Sequence, residues 1–229
     1  MPSHTCPPDA DTVVVVENEI TYLTLSEIPR TLAIFGGGYL LSDVTQRIYQ
    51  ENHQRFGPLY RKLGVPEDPL SAAIAGWRTL ESRPFRLVHA DVHRKNMIIQ
   101  NGRNVVFLDW ELALFGDPLY DVVSHLHKMG YQPNERSDFL AQWTAAEPEA
   151  ATGRWEADLQ TYLNHERIKS VIVDSVRYAK VLKEGSRTTE QEQALVVNLV
   201  AKLTAAHEIW ATGAQFDPEF VESELRACS

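Results

Sequence analysis

Three polar residues in the middle of the chain have the side chains that a phosphoryl-transfer site requires. Asp91, Asn96 and Asp109 lie within the run from His89 to Asp121, HADVHRKNMIIQNGRNVVFLDWELALFGDPLYD. Transfer of a phosphoryl group needs one carboxylate to orient the attacking hydroxyl, while an amide and a second carboxylate hold Mg²⁺ on the nucleotide phosphates. The three side chains match these three roles, so the run predicts a magnesium-dependent phosphotransfer centre.

A β-hairpin between Asn96 and Asp109 explains how these side chains meet. The β-rich runs MIIQ and VVFL flank the turn sequence NGRN, and an Asn-Gly pair between such runs predicts a hairpin. A two-residue loop pairs Gln100 with Arg103, whereas a four-residue loop pairs Gln100 with Val105, and both registers remain open. In either register Asn96 and Asp109 reach the same open end, where paired residues lie about 5 Å apart, within reach of one metal ion.

A helix is predicted directly after this segment. Asp117 followed by Pro118 is typical of a helix start, with a capping carboxylate before a proline at the first helical position. Gly130 ends the helix after about Met129. Asp121 falls in its first turns, where a carboxylate suits the positive end of the helix dipole.

The whole run resembles the catalytic segment of the aminoglycoside phosphotransferase and choline kinase superfamily, relatives of the protein kinases. That family reads H-G-D-x-H-x-x-N, then a short hairpin, then I-D-[FW]-x-x-A-x-x-G-D-P-x-x-D. The chain has HADVHRKN and LDWELALFGDPLYD at the matching spacing. Ala90 stands where the family usually has glycine.

The resemblance implies a role for each matching residue and a set of ligands. Asp91 and Asn96 would be catalytic, with Asp91 orienting the substrate hydroxyl, and Asn96 and Asp109 would be the Mg²⁺ ligands. ATP would be the phosphate donor, with GTP left open as an alternative. The acceptor would be a hydroxyl of a small molecule, either an antibiotic such as an aminoglycoside or an amino-alcohol. The residues expected to brace the catalytic loop and the following helix, without touching substrate, are His89, Asp117 and Asp121.

The resemblance also implies the fold class: α+β and protein-kinase-like, mainly a helical C-terminal lobe with the short catalytic hairpin and a remnant N-lobe hairpin. Three segments are expected. They are a remnant of the N-terminal lobe over residues 1–28, a hinge and connector over 29–42, and the helical catalytic and substrate-binding lobe over 43–229.

The first segment carries the predicted nucleotide contacts. Two strand-like runs, Thr12 to Val16 and Thr21 to Leu25, predict a hairpin. The hairpin and the Ser26-Glu27-Ile28 that follows resemble the last N-lobe strands and the hinge that contacts adenine. Glu27 and Ile28 are therefore the expected cofactor-binding residues.

Hydrophobic periodicity and breaker residues predict five further helices, at about residues 43–56, 70–81, 138–146, 155–183 and 189–212. The last two are expected to form an antiparallel pair. Glu166 and Asp174 lie on the first of the pair, where the family's substrate pocket is lined, but a solvated face is favoured for each. The glycines at 36–38 are interpreted as a flexible connector rather than as a phosphate cradle. Arg94 and Lys95 face either phosphates or solvent.

Composition indicates the type of protein, and net charge indicates which binding partners are compatible with it. The 229 residues include 22 basic and 31 acidic ones, giving a net charge of −9, with 44% hydrophobic and 23% charged residues. These proportions are ordinary for a globular protein of one domain or two small ones. The negative charge argues against a nucleic-acid or anionic-membrane partner and is compatible with a cationic acceptor.

Targeting signals and cysteine usage predict a cytoplasmic protein. The chain has no apolar signal segment and no apolar run of membrane length. Cys6 and Cys228 have no metal-binding spacing, which favours reduced thiols. An exposed apolar surface where the N-terminal lobe would sit favours a homodimer.

Two alternatives compete with an active kinase. A full N-lobe needs five strands and a helix, roughly 40 residues before loops, and a strand lysine that binds the α- and β-phosphates. Residues 1–28 are too few for it, and the first lysine is Lys62. The chain is then a truncated, weak or inactive kinase-like binding module. The other alternative is a metal hydrolase built on His89, Asp91 and His93, which predicts tightly bound zinc.

Overall fold

The computed structural model describes residues 12–16, 31–35 and 37–228, with side chains described over 45–113 and 116–228. Within these residues the fold is α+β and rich in helix, as predicted. The strands are β1 Thr12–Val16, β2 Thr31–Phe35, β3 Arg86–Val88, β4 Met97–Gln100, β5 Asn104–Phe107 and β6 Leu114–Gly116. The helices are α1 Gly37–Lys62, α2 Ser71–Trp77, α3 Leu119–Met129, α4 Pro133–Ala146, α5 Trp155–Glu184, α6 Thr189–Ile209 and α7 Pro218–Ala227.

The described N-terminal strands form a parallel pair. β1 is a strand, as its run of β-branched residues TVVVV predicts. Its partner among the described residues is β2, which it pairs in parallel from Thr12 opposite Thr31 to Val16 opposite Phe35. The expected partner over residues 21–25 and the expected hinge residues Glu27 and Ile28 lie outside the described residues, as does Cys6. Cys228 is a free thiol.

The boundaries of α1 correct two predictions. The helix begins at Gly37 rather than Asp43, so two of the three glycines interpreted as a connector are helical. It also passes through Pro58 and ends at Lys62 rather than near Phe56. Apolar side chains on both sides of the proline, including Phe56 and Tyr60, are buried, and this burial outweighs the low helix propensity of proline.

Two compact units can be distinguished, the first made of residues 1–40 and 79–163 and the second of residues 41–78 and 164–229. The second unit has a helical core whose fully buried members include Leu63, Ile168, Ile172, Leu199, Leu203 and Leu225. α6 and the second unit's part of α5 are antiparallel, as predicted, because Tyr178 hydrogen-bonds Asn198 while Asp174 pairs with Lys202. No helix within the described ranges is long and apolar enough to span a membrane.

The last helix, α7, was absent from the predictions although the sequence carried its signal. Asp217 precedes Pro218, and its side chain accepts a hydrogen bond from the backbone N–H of Glu219 at 3.1 Å. This is the same Asp-Pro start that correctly predicts α3. Val221 and Leu225 are buried one turn apart on the helix.

In the second unit, His207 fixes the end of α6 from within the core. Its Nε2 lies 2.9 Å from the carbonyl oxygen of Leu63, and its Nδ1 lies 2.5 Å from the hydroxyl of Thr212. The side chain is buried, and burial lowers the pKa of His207 although the Leu63 carbonyl opposes this. The folded protein therefore holds a neutral imidazole at this position.

The first unit has a buried ion cluster centred on Arg83. The guanidinium lies 2.5 Å from Asp158 Oδ2 and 3.2 Å from Asp117 Oδ2, and its Nε donates to the carbonyl of Ala150 at 3.0 Å. The Tyr162 hydroxyl donates to Asp117 Oδ2 at 3.2 Å. Arg83 thus neutralises two carboxylates that are themselves largely buried, and it holds Asp117 where α3 begins.

Arg83→Met should destabilise the protein strongly because it leaves Asp117 and Asp158 buried without a counter-charge. The expected loss is about 3–5 kcal/mol in the free energy of unfolding, measured by urea denaturation. Arg86→Met is the matched control, since the Arg86 side chain is 40% exposed and its pairs with Glu147 and Glu149 lie at the surface. It should cost less than about 1 kcal/mol. Equal losses in the two variants would contradict this account.

His207 should make stability depend on pH. In the unfolded chain this histidine gains a proton as the pH falls through about 6.5, whereas in the folded protein its lowered pKa keeps it neutral. The unfolded state then binds more protons, so the free energy of unfolding decreases as the pH falls below about 6.5. His207→Gln removes this contribution and should flatten the decrease between about pH 7.5 and 5.5. Parallel stability curves for the two proteins would show that His207 is not its source.

Candidate active site

The hairpin of β4 and β5 has a register between the two predicted ones. Gln100 pairs with Asn104 and Met97 with Phe107, so the loop has three residues rather than two or four. Asn101 and Gly102 both take left-handed backbone conformations, with φ of 51° and 68°. Both predicted registers are therefore wrong by one residue on β5.

The consequence of this register is a small shift at the open end of the hairpin. The carbonyl of Asn96 accepts the N–H of Leu108 at 2.8 Å, so Asn96 lies opposite Leu108, and Asp109 follows one residue later. Asp109 is exposed, takes a left-handed φ of 63° and heads the 3₁₀ turn Trp110–Leu112 without capping it. The carboxylate of Asp109 is thus presented to solvent at the end where Asn96 lies.

Asp91 has a polar partner on each carboxylate oxygen. Lys128 Nζ donates to Oδ1, while the amide of Asn96 donates to Oδ2 at 3.1 Å and His93 Nε2 lies 3.4 Å from Oδ2. Burial raises the pKa of Asp91, but the Lys128 ammonium, His93 and the Asn96 amide outweigh it, and the pKa is lowered overall. Asp91 is therefore an ionised carboxylate, the form that accepts a hydrogen bond from a hydroxyl.

The Asn96 amide is oriented by the same contacts. Its Nδ2 donates both to Asp91 Oδ2 and to the Asp91 carbonyl, each at 3.1 Å. Both N–H groups are thus directed at Asp91, which leaves the amide oxygen as an acceptor. Mg²⁺ takes oxygen ligands from one or two protein groups together with water and substrate phosphates. The Asn96 amide oxygen and the Asp109 carboxylate match this donor set.

The catalytic loop is held by Asp121 in the first turns of α3. Its two carboxylate oxygens accept the backbone N–H groups of His89 at 2.8 Å and of Ala90 at 2.7 Å. Burial raises the pKa of Asp121, and these two N–H groups oppose the increase. The predicted bracing role of Asp121 is confirmed. Asp117 also caps α3 as predicted, because its Oδ1 accepts the N–H of Leu119 at 2.9 Å.

His89 joins the loop to the hairpin. It is buried, its Nε2 lies 2.8 Å from the carbonyl of Leu108, and its Nδ1 accepts the N–H of Asp91 at 3.3 Å. Because a carbonyl oxygen can only accept, Nε2 carries the proton. Both ring nitrogens are therefore occupied, and His89 has none left for a metal. Among the described residues, no group of three or more His, Cys, Asp or Glu side chains is arranged to hold a metal ion. These contacts overturn the zinc-hydrolase alternative.

The two cations within the loop differ in their surroundings. Arg94 Nη2 donates to the carbonyl of Met129 at 3.3 Å, so its charge lies at the negative C-terminal end of α3. Lys95 is exposed, and its backbone N–H donates to His93 Nδ1 at 3.2 Å.

Lys128 was missed in the sequence because it lies 37 residues from Asp91. The available signal was helical spacing. Lys128 follows Asp121 by two helical turns, so both side chains lie on one face of α3. Ser124 and His125 share that face, and they lie 3.4 Å from the carbonyls of Ala90 and Val92 respectively. One face of α3 therefore contacts the loop from His89 to Val92 continuously.

An apolar cavity of about 990 Å³ lies on one face of the hairpin. The hairpin residues Met97, Ile99, Val105 and Phe107 line it together with residues of α3 and α4. Asp91, Asn96 and Asp109 do not contribute to its lining. None of the three chemically important side chains thus forms part of the cavity wall.

Glu166 and Asp174 of α5 are buried and paired, which corrects the prediction of solvated faces. Glu166 is 3% exposed, accepts Lys169 Nζ at 3.0 Å and lies 3.7 Å from His165 Nδ1. Burial raises the pKa of Glu166, but Lys169 and His165 lower it more. Asp174 pairs with Arg177 at 2.8 Å and with Lys202. Both carboxylates are neutralised by cations of the chain itself.

Comparison with known proteins places the chain in a family. Residues 40–156, half of the chain, match the model of the phosphotransferase enzyme family. The chain belongs to this family. The matched range includes the loop, the hairpin and α3, so family membership is confirmed on the segment that predicted it. Residues 3–57 match a second model, the C-terminal part of the Wadjet protein JetD, which does not reach the site. No curated protein and no solved structure gave a significant match.

Ala90 explains the family's preference for glycine at its position. Its φ is 64°, in the left-handed region that costs a residue with a Cβ about 1–2 kcal/mol. Ala90→Gly should relieve this strain and, after the entropy that glycine adds to the unfolded chain, stabilise the protein by about 0.5–1 kcal/mol. Ala113→Gly is the control, because Ala113 has an unstrained φ of −62°. This variant should be less stable than the wild type, since glycine only adds entropy to the unfolded chain. Urea denaturation of both variants measures the difference, and destabilisation of both would refute the strain at Ala90.

Proposed function

We propose that this member of the phosphotransferase family is a small-molecule kinase that transfers the γ-phosphate of ATP to a hydroxyl group. The observation that carries the proposal is the contact between the ionised Asp91 and the Asn96 amide. It leaves the amide oxygen available at the end of the hairpin where Asp109 is exposed. A base for the acceptor and two oxygen ligands for a metal are thereby associated with one loop and one hairpin.

The reaction would use the chain's own groups for positioning and charge. Asp91 accepts a hydrogen bond from the acceptor hydroxyl, orients its oxygen towards the γ-phosphorus and takes its proton as the new P–O bond forms and the bond to the β-phosphate oxygen breaks. Asn96 and Asp109 would hold Mg²⁺, whose charge offsets the negative charge that develops on the β- and γ-phosphates. His89 and Asp121 keep the loop rigid, so little reorganisation is needed at the moment of reaction.

The proposal also covers the type of fold, the nucleotide contacts and the acceptor. The loop, the hairpin and α3 would correspond to the C-terminal lobe of a protein-kinase-like fold, with Glu27 and Ile28 contacting the adenine of ATP or the guanine of GTP. The acceptor would be an aminoglycoside or an amino-alcohol. The pairing of Glu166 with Lys169 and of Asp174 with Lys202 means that recognition of a cationic acceptor would depend on other acidic residues.

A binding module without turnover is the second candidate. It is supported by the occupation of Asp91 Oδ1 by Lys128, since an acceptor hydroxyl then has to compete with an ammonium group for this oxygen. Magnesium-dependent binding of ATP followed by phosphate transfer distinguishes the two candidates. The module predicts no transfer to any acceptor.

Asp91→Asn should reduce phosphate transfer by a factor of about 10²–10⁴, because it removes the base. Transfer is measured with labelled ATP against a panel of aminoglycosides and amino-alcohols, and MgATP binding is followed by calorimetry. Binding should persist in Asp91→Asn but weaken in Asp109→Ala, which lacks a metal ligand.

Asp138→Asn, on the exposed surface of α4, is the control and should leave both measurements unchanged. Full activity of Asp91→Asn would refute the assigned base. Wild-type protein that fails to bind MgATP would refute the kinase and favour the module.

A further inference from the structure

We infer that Lys128 is a catalytic residue of this site, which binds the γ-phosphate of the nucleotide and holds it over Asp91. The inference rests on the proposed kinase function and deepens it. Its starting point is the contact of Lys128 Nζ with Asp91 Oδ1, made across 37 residues of sequence.

The position of Lys128 is fixed by more than this one ion pair. Lys128 lies in the last turn of α3, on the face whose Asp121 binds the N–H groups of His89 and Ala90. His125, between them on the same face, lies 3.4 Å from the Val92 carbonyl. The helix is therefore attached to the loop at several points, and its side chains are presented to the loop in a set order. The attachment of α3 to the loop therefore holds the Lys128 ammonium group near Asp91, whereas the ammonium group of an isolated surface lysine is not held in this way.

The distances that phosphoryl transfer requires bring the γ-phosphate within reach of this ammonium. The acceptor oxygen has to lie about 3 Å from the Asp91 carboxylate, and the phosphorus about 3–3.5 Å beyond that oxygen. Lysine has three N–H donors on a flexible four-carbon stem. From its place on Oδ1, Lys128 can turn towards a γ-phosphate oxygen.

The charge balance favours this exchange. Without nucleotide, Lys128 neutralises Asp91 and its side chain is 29% exposed, so the contact is open to a competing anion. The terminal phosphate carries more negative charge than one carboxylate and attracts the ammonium more strongly. When Lys128 turns to the phosphate, Asp91 Oδ1 becomes free for the acceptor hydroxyl. The lysine thus links nucleotide binding to exposure of the base.

The neighbouring cations are less suited to this role. Arg94 is engaged by the carbonyl of Met129 at the end of α3, and His93 faces the other oxygen of Asp91. Lys95 is exposed in the 3₁₀ turn Arg94–Asn96. Because Lys95 has the same charge and stands on the same loop, it is the matched comparison for Lys128.

The test compares Lys128→Met, Lys128→Arg and Lys95→Met. Calorimetric titrations with MgATP and with MgADP measure how much the γ-phosphate adds to binding, and thermal melting verifies that each variant is folded. Lys128→Met should reduce the preference for MgATP over MgADP by about tenfold or more. It should also lower kcat by about 10²–10³, the effect of removing one donor to a developing charge. Lys128→Arg should restore part of both, and Lys95→Met should match the wild type.

Several results would overturn the inference. An unchanged preference for MgATP over MgADP in Lys128→Met, with wild-type protein that binds MgATP and transfers phosphate, would refute the role of Lys128 and leave the kinase function intact. A rise in kcat would mean that Lys128 blocks Asp91 instead of serving the phosphate. Equal losses in Lys95→Met would mean that general positive charge is responsible. Wild-type protein without MgATP binding would overturn the kinase function itself, and this inference with it.

Discussion

The two hydrogen bonds from the His89 and Ala90 N–H groups to Asp121 are the interaction on which the rest of the site depends. A half-buried carboxylate near the start of a helix holds the backbone of the loop. This backbone sets the direction of Asp91. His89 connects the loop to the hairpin through its hydrogen bond with the Leu108 carbonyl. The helix, the loop and the hairpin are consequently one assembly, in which short-range backbone hydrogen bonds determine where the side chains point.

Much of this assembly could be predicted from local sequence. The Asn-Gly turn, the Asp-Pro helix start and the helix-ending Gly130 are signals whose physical cause lies within a few residues, and each was correct as an element. Both predicted hairpin registers were wrong because the loop contains a third residue, Arg103. The types of the loop residues do not by themselves determine how many of them the loop contains. Lys128 was missed because its partner is distant in sequence and is brought close by the attachment of α3 to the loop.

The acidic side chains show a different limit of sequence interpretation. A glutamate or aspartate on an amphipathic helix is normally assigned to solvent, yet Glu166 and Asp174 are buried beside cations. The same holds for Asp117 and Asp158 around Arg83. In the Arg83 cluster, and for Asp174 with Lys202, the counter-charge comes from another part of the chain, which a periodicity argument cannot see. The net charge of −9 therefore says little about which carboxylates remain free to meet a substrate.

The shared face of α3 also limits how this segment can vary. Contacts to the loop come from Asp121, Ser124, His125 and Lys128, spaced so that they align along one side of the helix. One residue inserted or deleted between Asp121 and Lys128 would rotate everything beyond it by about 100° and turn the lysine away from Asp91 while the brace stayed in place. The number of residues between Asp121 and Lys128 is therefore constrained as well as the identity of the two side chains.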